Sequence, residues 1–574
     1  MLRDLPERWD EFSQWGWEKI APYADDLIGR QVEPETLETW LADWSRLARL
    51  ITETFNRLQI RTTTHTNDEE GKARFRSYSE RVMPNARDFE QTMRVKLVES
   101  GLEPEGLGVP LRKMRNDAAT YREQNLRLQS EIEGLSSDLN SITGAMSVDW
   151  DGTRLNREQV FAKLGEQDRN TRERAWRALS ECLKKDRQAM DGIWVQLLDL
   201  RLQMARNAGF RDYRSFRWQE LARFYYTPND CKAFHAAILE VVVPAVGRIS
   251  QTRKANLSVE SLTVWDDFWH WAPDPLGRAP LRPFQSVPQM TTALQQLFTR
   301  LDPVLGSYYQ TLREEQLMDL EARQFKAPGA YMQELPASRR PFVFSNSVGL
   351  HYDVLAQFHE SGHAFHVFES AHWPFHYQSM IDHAATEFAE VASMSMELLA
   401  SQYMTTDRGG FYAEHESAQA RIGQLTQILK FWPYMAVVDG FQHWVYENPD
   451  LARDTARCDE HWASLHRLFL PHLDWSGVEE TLGLCWRLQD HILLSPFYYI
   501  EYGIAQLGAI QIWVNSLAEP AAALRAYRSA LALGNTAALP ELFRAAGTKF
   551  AFDVETLREA TALIERTINE LQTG

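Results

Sequence analysis

The sequence predicts a mainly α-helical protein, and three observations support this fold class. Apolar residues recur at three- and four-residue steps over residues 37–58, which is the period of an amphipathic helix. Residues 384–401 are rich in Ala, Met, Leu and Glu and contain neither Pro nor Gly. Strand-like segments are rare. Together these features predict long helices with little sheet.

The N-terminal third is predicted to be helical with polar interruptions. After the helix at 37–58, the polar stretch 61–71 is expected to be a loop. Helical patterns resume at 89–100 and at 115–139, where charged residues alternate with leucines. The simplest interpretation of residues 115–139 is a solvated helix hairpin.

Further along, the polar region 149–157 is predicted to interrupt the helices, and a new helix is expected to begin within 168–172. The helical pattern from residue 190 is broken by the Pro- and Trp-rich segment 265–288. Within it, residues 264–267 are consistent with a strand or a loop, and a packed surface connection is the simplest role for them.

Two short stretches carry the strand signal, residues 329–334 and 341–346. Both are apolar and bounded by Pro, Ser or Asn. They lie just before the most informative motif of the chain. An edge strand in such a place can pair with the backbone of an extended peptide through main-chain hydrogen bonds.

Composition excludes several classes of protein. The net charge of −17 over 574 residues argues against a nucleic-acid-binding surface. The N-terminal residues are charged where a signal peptide needs an apolar core, and no run of 18 apolar residues suggests a membrane span. The four cysteines are far apart and form no Cys-x-x-Cys, which is typical of reduced thiols in a cytoplasmic protein.

The central motif is His359-Glu360-Ser361-Gly362-His363, inside an apolar run with a helical pattern. On a helix, His359 and His363 lie one turn apart on the same face, so both imidazoles can reach one metal ion. Glu360 lies next to the first histidine, where it can touch a metal-bound water. Catalytic zinc has three protein ligands and one open position, so a third ligand is required.

Candidates for the third ligand are the carboxylates Glu387, Glu390 and Glu397 on the next predicted helix, with Glu390 27 residues after His363. Gly362 costs about 1 kcal/mol relative to alanine in a helix interior. Its presence therefore suggests a close packing partner at that point.

The other histidines of this region are weaker candidates for metal ligands. His366 continues the same helix, but three ligands from successive turns would strain the coordination geometry, so a packed histidine is expected. His372 and His376 have the right spacing, yet Pro374 lies between them and no glutamate accompanies them. His383 precedes the second helix, and its spacing does not place it.

The motif and its surroundings resemble the M3 family of zinc metallopeptidases, the thimet oligopeptidase and oligoendopeptidase F group. The resemblance rests on residues 359–366 (HESGHAFH) and 387–393 (EFAEVAS). It is supported by 326–331 (KAPGAY), 340–346 (RPFVFSN) and 491–502 (HILLSPFYYIEY). The match is strong over about 319–506, and the oligoendopeptidase F branch is the more similar one.

This resemblance implies a large helical, two-lobed ellipsoid with a deep central channel and a small β-sheet beside the zinc helix. It divides the chain into residues 1–190, a helical region forming part of the channel wall, and residues 191–574, the catalytic domain. The implied ligands of one Zn²⁺ are His359, His363 and Glu390. The resemblance favours Glu390 over Glu387, the runner-up, and makes Glu387 or Glu397 a candidate for orienting a zinc-bound histidine.

The segment 491–502 adds possible donors for the oxyanion of the tetrahedral intermediate. Tyr498 and Tyr502 lie four residues apart, and without the resemblance these tyrosines would be core aromatics. The resemblance makes Tyr502 the leading donor, with His491 and Tyr499 or Tyr498 assisting. Such a donor stabilises charge that develops only in the transition state.

The predicted function is zinc-dependent hydrolysis of internal bonds in short unstructured peptides, with Glu360 activating a zinc-bound water. A zinc carboxypeptidase or dipeptidyl carboxypeptidase remains an alternative, because similar helical enzymes share His-Glu-x-Gly-His. An inactive helical peptide-binding protein is a second alternative. The expected partners are oligopeptides, with neither nucleic acid nor membrane.

Overall fold

The computed structural model describes residues 2–268, 272–381 and 386–573. In these residues the chain is mainly helical, as the sequence predicts. The first helices are α1 Trp9–Phe12, α2 Trp17–Gly29, α3 Leu37–Thr64, α4 Glu69–Arg81, α5 Met83–Glu99, α6 Gly108–Thr120, α7 Glu123–Ala145, α8 Arg157–Lys163, α9 Arg169–Asn207, α10 Tyr213–Glu220, α11 Pro228–Leu257, α12 Val287–Leu301 and α13 Pro303–Glu314.

The remaining helices follow the sheet that precedes the histidine motif. They are α14 His351–Ser370, α15 His376–Ser379, α16 Thr386–Ser401, α17 Glu414–Glu447, α18 Pro449–Ala452, α19 Thr455–Phe469, α20 Glu479–Leu484, α21 Asp490–Leu493, α22 Tyr499–Ala518, α23 Pro520–Ala532, α24 Leu539–Ala545 and α25 Val554–Thr573. The strands are β1 Ser147–Trp150, β2 Thr153–Asn156, β3 Met318–Glu321, β4 Tyr331–Leu335 and β5 Arg340–Ser347.

The chain forms two compact units, each assembled from three separate stretches. Unit 1 comprises Met1–Ala119, Leu281–Ser417 and Gly508–Phe550, and unit 2 comprises Thr120–Pro280, Ala418–Leu507 and Ala551–Gly574. The boundary expected between residues 190 and 191 lies within α9. That division into channel wall and catalytic domain, and the channel itself, stay predictions.

Unit 1 is built on an aromatic core contributed by its N-terminal helices. Trp40 and Trp44 of α3 are buried one turn apart, and the Trp44 ring contacts Tyr377 with centroids 5.2 Å apart. This confirms the amphipathic helix expected over 37–58. The helix continues to Thr64, so the loop expected at 61–71 is shorter than predicted, and α4 begins at Glu69.

The sheet of unit 1 has three strands in the order β3-β5-β4. Strand β5 is parallel to β3 and antiparallel to β4, and it packs directly against α14. The two strands predicted from the sequence are β4 and β5. Strand β3 was not predicted, because its four residues alternate too briefly to give a signal. The sheet places β4 at an edge, next to the histidine helix.

Unit 2 contains α9, α11 and most of α17, the three longest helices of the described residues. It also contains a hairpin that the sequence interpretation missed. Strands β1 and β2 pair antiparallel around Asp151 and Gly152, whose φ angles are 54° and 81°. An Asp-Gly pair between short strands is a strong hairpin signal, since both turn residues need positive φ. The region 149–157 is therefore a β-hairpin and not simply a polar interruption.

Three other predictions have clear outcomes. The helix start at 168–172 is confirmed, because the Asp168 carboxylate caps α9 by accepting a hydrogen bond from the Thr171 amide. Residues 115–139 belong to two helices, as a hairpin requires, because α6 ends at Thr120 and α7 begins at Glu123; the packing of the two as a hairpin stays a prediction. Residues 264–266 form a short 3₁₀ turn rather than a strand.

Candidate metal centre

The His-Glu-x-x-His motif lies in the middle of α14, which packs along α16 in unit 1. The contact is closest at Gly362: a Cβ atom there would lie 2.6 Å from Ser393 Cα and 2.7 Å from the carbonyl oxygen of Ala392. The glycine expected to have a close packing partner therefore has one. This contact brings the second predicted helix to the histidines.

Three donor groups converge at this crossing. The Oε2 atom of Glu390 lies 3.5 Å from His359 Nε2 and 3.8 Å from His363 Nε2, and all three donor atoms lie within 4.8 Å of one another. Ser393 donates a hydrogen bond of 3.2 Å to the same Glu390 oxygen and so fixes its orientation. The three residues predicted as ligands are therefore brought together.

The donor set fits a zinc ion. Ligand atoms about 2.0–2.2 Å from a tetrahedral ion lie about 3.3 Å apart, close to the distances between Glu390 and the two imidazoles. Burial, together with the charge of His359, lowers the pKa of His363 well below its usual value, which leaves that imidazole neutral as a ligand must be. Two nitrogens and one carboxylate leave a fourth position open.

His359 is surrounded by carboxylates. Its Nδ1 lies 2.8 Å from Glu397 Oε1. Burial opposes protonation of His359, but the hydrogen bond and charge of Glu397, followed by the charges of Glu390 and Glu360, raise its pKa to about 9. This excess of negative charge favours a cation at the centre, and Glu397 occupies the position from which a carboxylate orients a ligating histidine.

Glu360 is positioned for proton transfer. It is 7% exposed, and burial raises its pKa to about 7, with the charge of His359 acting in the opposite direction. The backbone amide of Met332 on β4 also donates a hydrogen bond to it. A carboxylate with a pKa near neutrality can both accept and release a proton at physiological pH.

The segment 491–502 forms an aromatic cluster in unit 2. The His491 ring lies 5.9, 4.8 and 5.9 Å from the ring centroids of Tyr498, Tyr499 and Tyr502. Tyr499 is buried and also packs against Tyr434, with centroids 6.1 Å apart. The other three residues are half-buried, so they are the better placed of the four to meet a ligand.

Comparison with known proteins identifies the family. The model of peptidase family M3 matches residues 164–561, which is more than half of the chain. The chain belongs to peptidase family M3. The resemblance seen in the sequence, including its oligoendopeptidase F branch, is confirmed, and the chain is a metallo-endopeptidase by family.

Solved structures of this kind share the whole fold. A PZ peptidase A bound to an inhibitor is 25% identical with a TM-score of 0.84, covering 97% of this chain and 98% of that one. An oligoendopeptidase F structure is 25% identical with a TM-score of 0.84 and 98% coverage of both chains. Another, from Bacillus anthracis str. Ames, is 22% identical with a TM-score of 0.81, covering 99% and 98%. A search of curated proteins finds no match.

The competing candidates of this M3 chain lie elsewhere. Glu387 is buried on α16, outside the set of atoms that converges with the two histidines in the described residues. His366 is buried against Phe388, with ring centroids 6.2 Å apart, as expected for a packed histidine. His372, just after the end of α14, contacts the backbone oxygen of Glu369, and His376 is buried in α15. His383 lies outside the described residues.

Two contacts at the centre were not predicted from the sequence. The first is the hydrogen bond from Ser393 to Glu390, for which the three-residue spacing on one helix was an available signal. The second is the Met332 amide at Glu360, which depends on how β4 lies against α14 and has no local signal.

Proposed function

We propose that this M3 peptidase is a zinc-dependent oligoendopeptidase in which His359, His363 and Glu390 hold one Zn²⁺. The observation that carries the proposal is the convergence of these three donors beside a buried carboxylate, Glu360, with a pKa near 7. Peptide hydrolysis needs all four groups, three to hold the metal and one to transfer the proton, and their presence together argues against an inactive binding protein.

Zinc in such a site supplies Lewis acidity, which polarises a carbonyl and lowers the pKa of a water molecule to about 7. Glu360 accepts a proton from the attacking water and later delivers it to the nitrogen of the leaving amine. The Met332 amide holds the carboxylate in place between these two events. Glu397 keeps the Nδ1 atom of His359 hydrogen bonded, which fixes the ring orientation.

Tyr502 is proposed as the main donor to the oxyanion, with His491 and Tyr498 or Tyr499 assisting. The phenol of Tyr502 and the imidazole of His491 are half-buried and close together, which supports a shared role. Tyr499 is buried among Tyr434 and Phe431, so its contribution is to support the other rings.

The substrates are proposed to be short unstructured peptides bound in extended form along β4. This strand lies at the edge of its sheet, and its Met332 amide reaches Glu360, so a peptide aligned with β4 would run past the centre. Main-chain pairing gives binding that tolerates many sequences. A folded protein offers no free extended segment for such pairing.

We also propose that the enzyme is cytoplasmic. The four cysteines form no disulfide in the described parts of the chain, which suits a reducing compartment. Among the described helices, α11 is long and apolar enough to cross a membrane, but half of its most apolar window is buried inside the protein. That burial is typical of a core helix.

The test uses peptides of graded length, each prepared in two forms: one acetylated at the N-terminus and amidated at the C-terminus, and one with a free C-terminus. Internal cleavage by zinc-loaded enzyme, identified by mass spectrometry and ending above a limiting length, supports the oligoendopeptidase. Cleavage only of peptides with a free C-terminus, with loss of terminal residues, favours the carboxypeptidase alternative. No cleavage of any peptide contradicts both and leaves the peptide-binding protein.

A further inference from the structure

Unit 2 contains a second cluster of metal-binding side chains. Cys231 and His235 lie one turn apart on α11, and Asp439 and His443 lie one turn apart on α17. Each helix thus presents two potential ligands on one face. The exposed fractions of these residues are 0%, 8%, 0% and 2%, so the cluster is inside the protein.

The side chains of Cys231, Asp439 and His443 converge, and His235 adjoins this group through Asp439. The Oδ2 atom of Asp439 lies 2.9 Å from His235 Nε2 and 3.1 Å from His443 Nε2. The donor atoms of Cys231, Asp439 and His443 all lie within 4.8 Å of one another. Two i, i+4 pairs from facing helices are a common way to build a metal site inside a helical bundle.

The polar atoms of this cluster are short of hydrogen bonds. Both carboxylate oxygens of Asp439 and the Nε2 atoms of His235 and His443 are buried, and in the described residues their contacts are short but poorly aligned for hydrogen bonds. The two nitrogens are near Oδ2, but the oxygen lies off their N–H axes. A buried carboxylate in that condition is costly unless a cation compensates it.

We propose that Cys231, Asp439 and His443 form a second metal site that holds a structural Zn²⁺, with His235, which lies beside Asp439, turning to supply the fourth ligand. Zinc binds sulfur, nitrogen and oxygen ligands, and around a tetrahedral ion these atoms are separated by about 3–4 Å. Nitrogens that face one ion also lie off the direct line to a neighbouring ligand atom, as they do here. Four protein ligands leave no open position, so this ion has a structural role.

The residues next to His443 indicate how the cluster is arranged without a metal ion. Arg214 Nη1 lies 3.3 Å from His443 Nδ1 and also forms an ion pair with Glu447. Without metal, Nδ1 accepts from Arg214 and the proton of His443 is on Nε2, facing Asp439. With metal on Nε2, Nδ1 carries the proton and no longer accepts from Arg214, which must turn away from His443 and pair with Glu447 alone. The two states differ in metal content, so an experiment can separate them.

The test removes the candidate metal centre of unit 1 with the double variant His359→Ala/His363→Ala. After loading with Zn²⁺ and desalting, we expect one metal ion per chain in this variant and two in the wild type, measured by elemental mass spectrometry. A variant that retains no zinc would overturn the proposal. Neither result depends on peptidase activity, so a failure of the proposed function is a separate outcome.

Cobalt identifies the ligands. Co²⁺ bound to a thiolate gives a charge-transfer band in the near ultraviolet, and the histidine–glutamate centre contains no thiolate. In the double-variant background we expect this band, its loss with Cys231→Ser, and its retention with Cys458→Ser, a matched control at another buried cysteine. Absence of the band, or its persistence with Cys231→Ser, would overturn the proposal.

If Cys231→Ser does not yield folded protein, His443→Gln provides the second variant. We expect it to lose cobalt from the unit 2 cluster while its circular dichroism remains that of the parent. Full cobalt retention with an unchanged band would contradict the assigned ligand set.

Discussion

The contact between α14 and α16 is the feature that assembles the proposed zinc centre, and Gly362→Ala perturbs it alone. The new Cβ atom would lie 2.6 Å from Ser393 Cα, 0.8 Å short of the 3.4 Å at which ordinary contact begins. The nearby atoms belong to the backbone of α16, which cannot move aside as a flexible side chain would. The two helices must therefore shift apart by most of that distance.

The magnitude follows from two opposing effects. Alanine is the better helix former by about 1 kcal/mol, whereas forcing an extra methyl group into a packed site costs about 1–3 kcal/mol. We expect a net loss of stability of up to about 2 kcal/mol. The affinity for zinc should also fall, because ligands must be held to within about 0.5 Å and Glu390 moves with α16.

The assay is competition for zinc between the protein and a chromophoric chelator, followed by peptide cleavage at saturating zinc. We expect Gly362→Ala to bind zinc at least about 10-fold more weakly, the size of effect seen when a ligand-orienting contact is lost. Gly192→Ala is the control: this glycine is inside α9 with nothing within 4 Å of the new methyl group, so its change should be neutral or stabilising. Wild-type zinc affinity and activity in Gly362→Ala would refute the reasoning.

Three further predictions follow from particular contacts. Glu397→Gln, which weakens the 2.8 Å contact with His359, should lower zinc affinity by about 10- to 100-fold in the same chelator assay; an unchanged affinity would contradict an orienting role. Tyr502→Phe should lower kcat by about 10²–10³ with zinc content unchanged, measured by steady-state cleavage; an unchanged kcat would exclude it as the main oxyanion donor. Asp266→Asn should destabilise the protein by about 3–5 kcal/mol in urea unfolding, because it leaves the buried Arg172 without its anionic partner. Burial opposes ionisation of Asp266, but hydrogen bonds from arginines outweigh it and lower its pKa, so this contribution is present above about pH 4 and is lost as the pH falls further; the same stability in the variant at pH 7 would count against the ion pair.

The sequence was most informative where the pattern is local. The histidine spacing on α14, the strands before it and the glycine inside it all depend on neighbouring residues along one element. The missed hairpin at β1 and β2 was also local: the Asp151-Gly152 turn was visible, but a polar composition outweighed it in the interpretation.

Contacts between elements that are distant in the sequence could not be predicted from local patterns. Spacing alone did not distinguish Glu387, Glu390 and Glu397 as candidates for the third metal ligand. Their positions relative to the histidines depend on how α16 is rotated against α14. The cluster of unit 2 gave no signal at all, because its two pairs are about 200 residues apart and neither pair resembles a motif by itself.

The central claim is that Glu360 transfers the proton at a zinc centre that it does not itself hold together. The most direct measurement compares Glu360→Gln with wild type for both zinc content and cleavage of a blocked peptide. Glu314→Gln, an exposed glutamate changed in the same way, serves as the control. We predict that Glu360→Gln retains the zinc of the wild type and loses cleavage, while Glu314→Gln retains both. Cleavage by zinc-loaded Glu360→Gln at the wild-type rate would contradict the account.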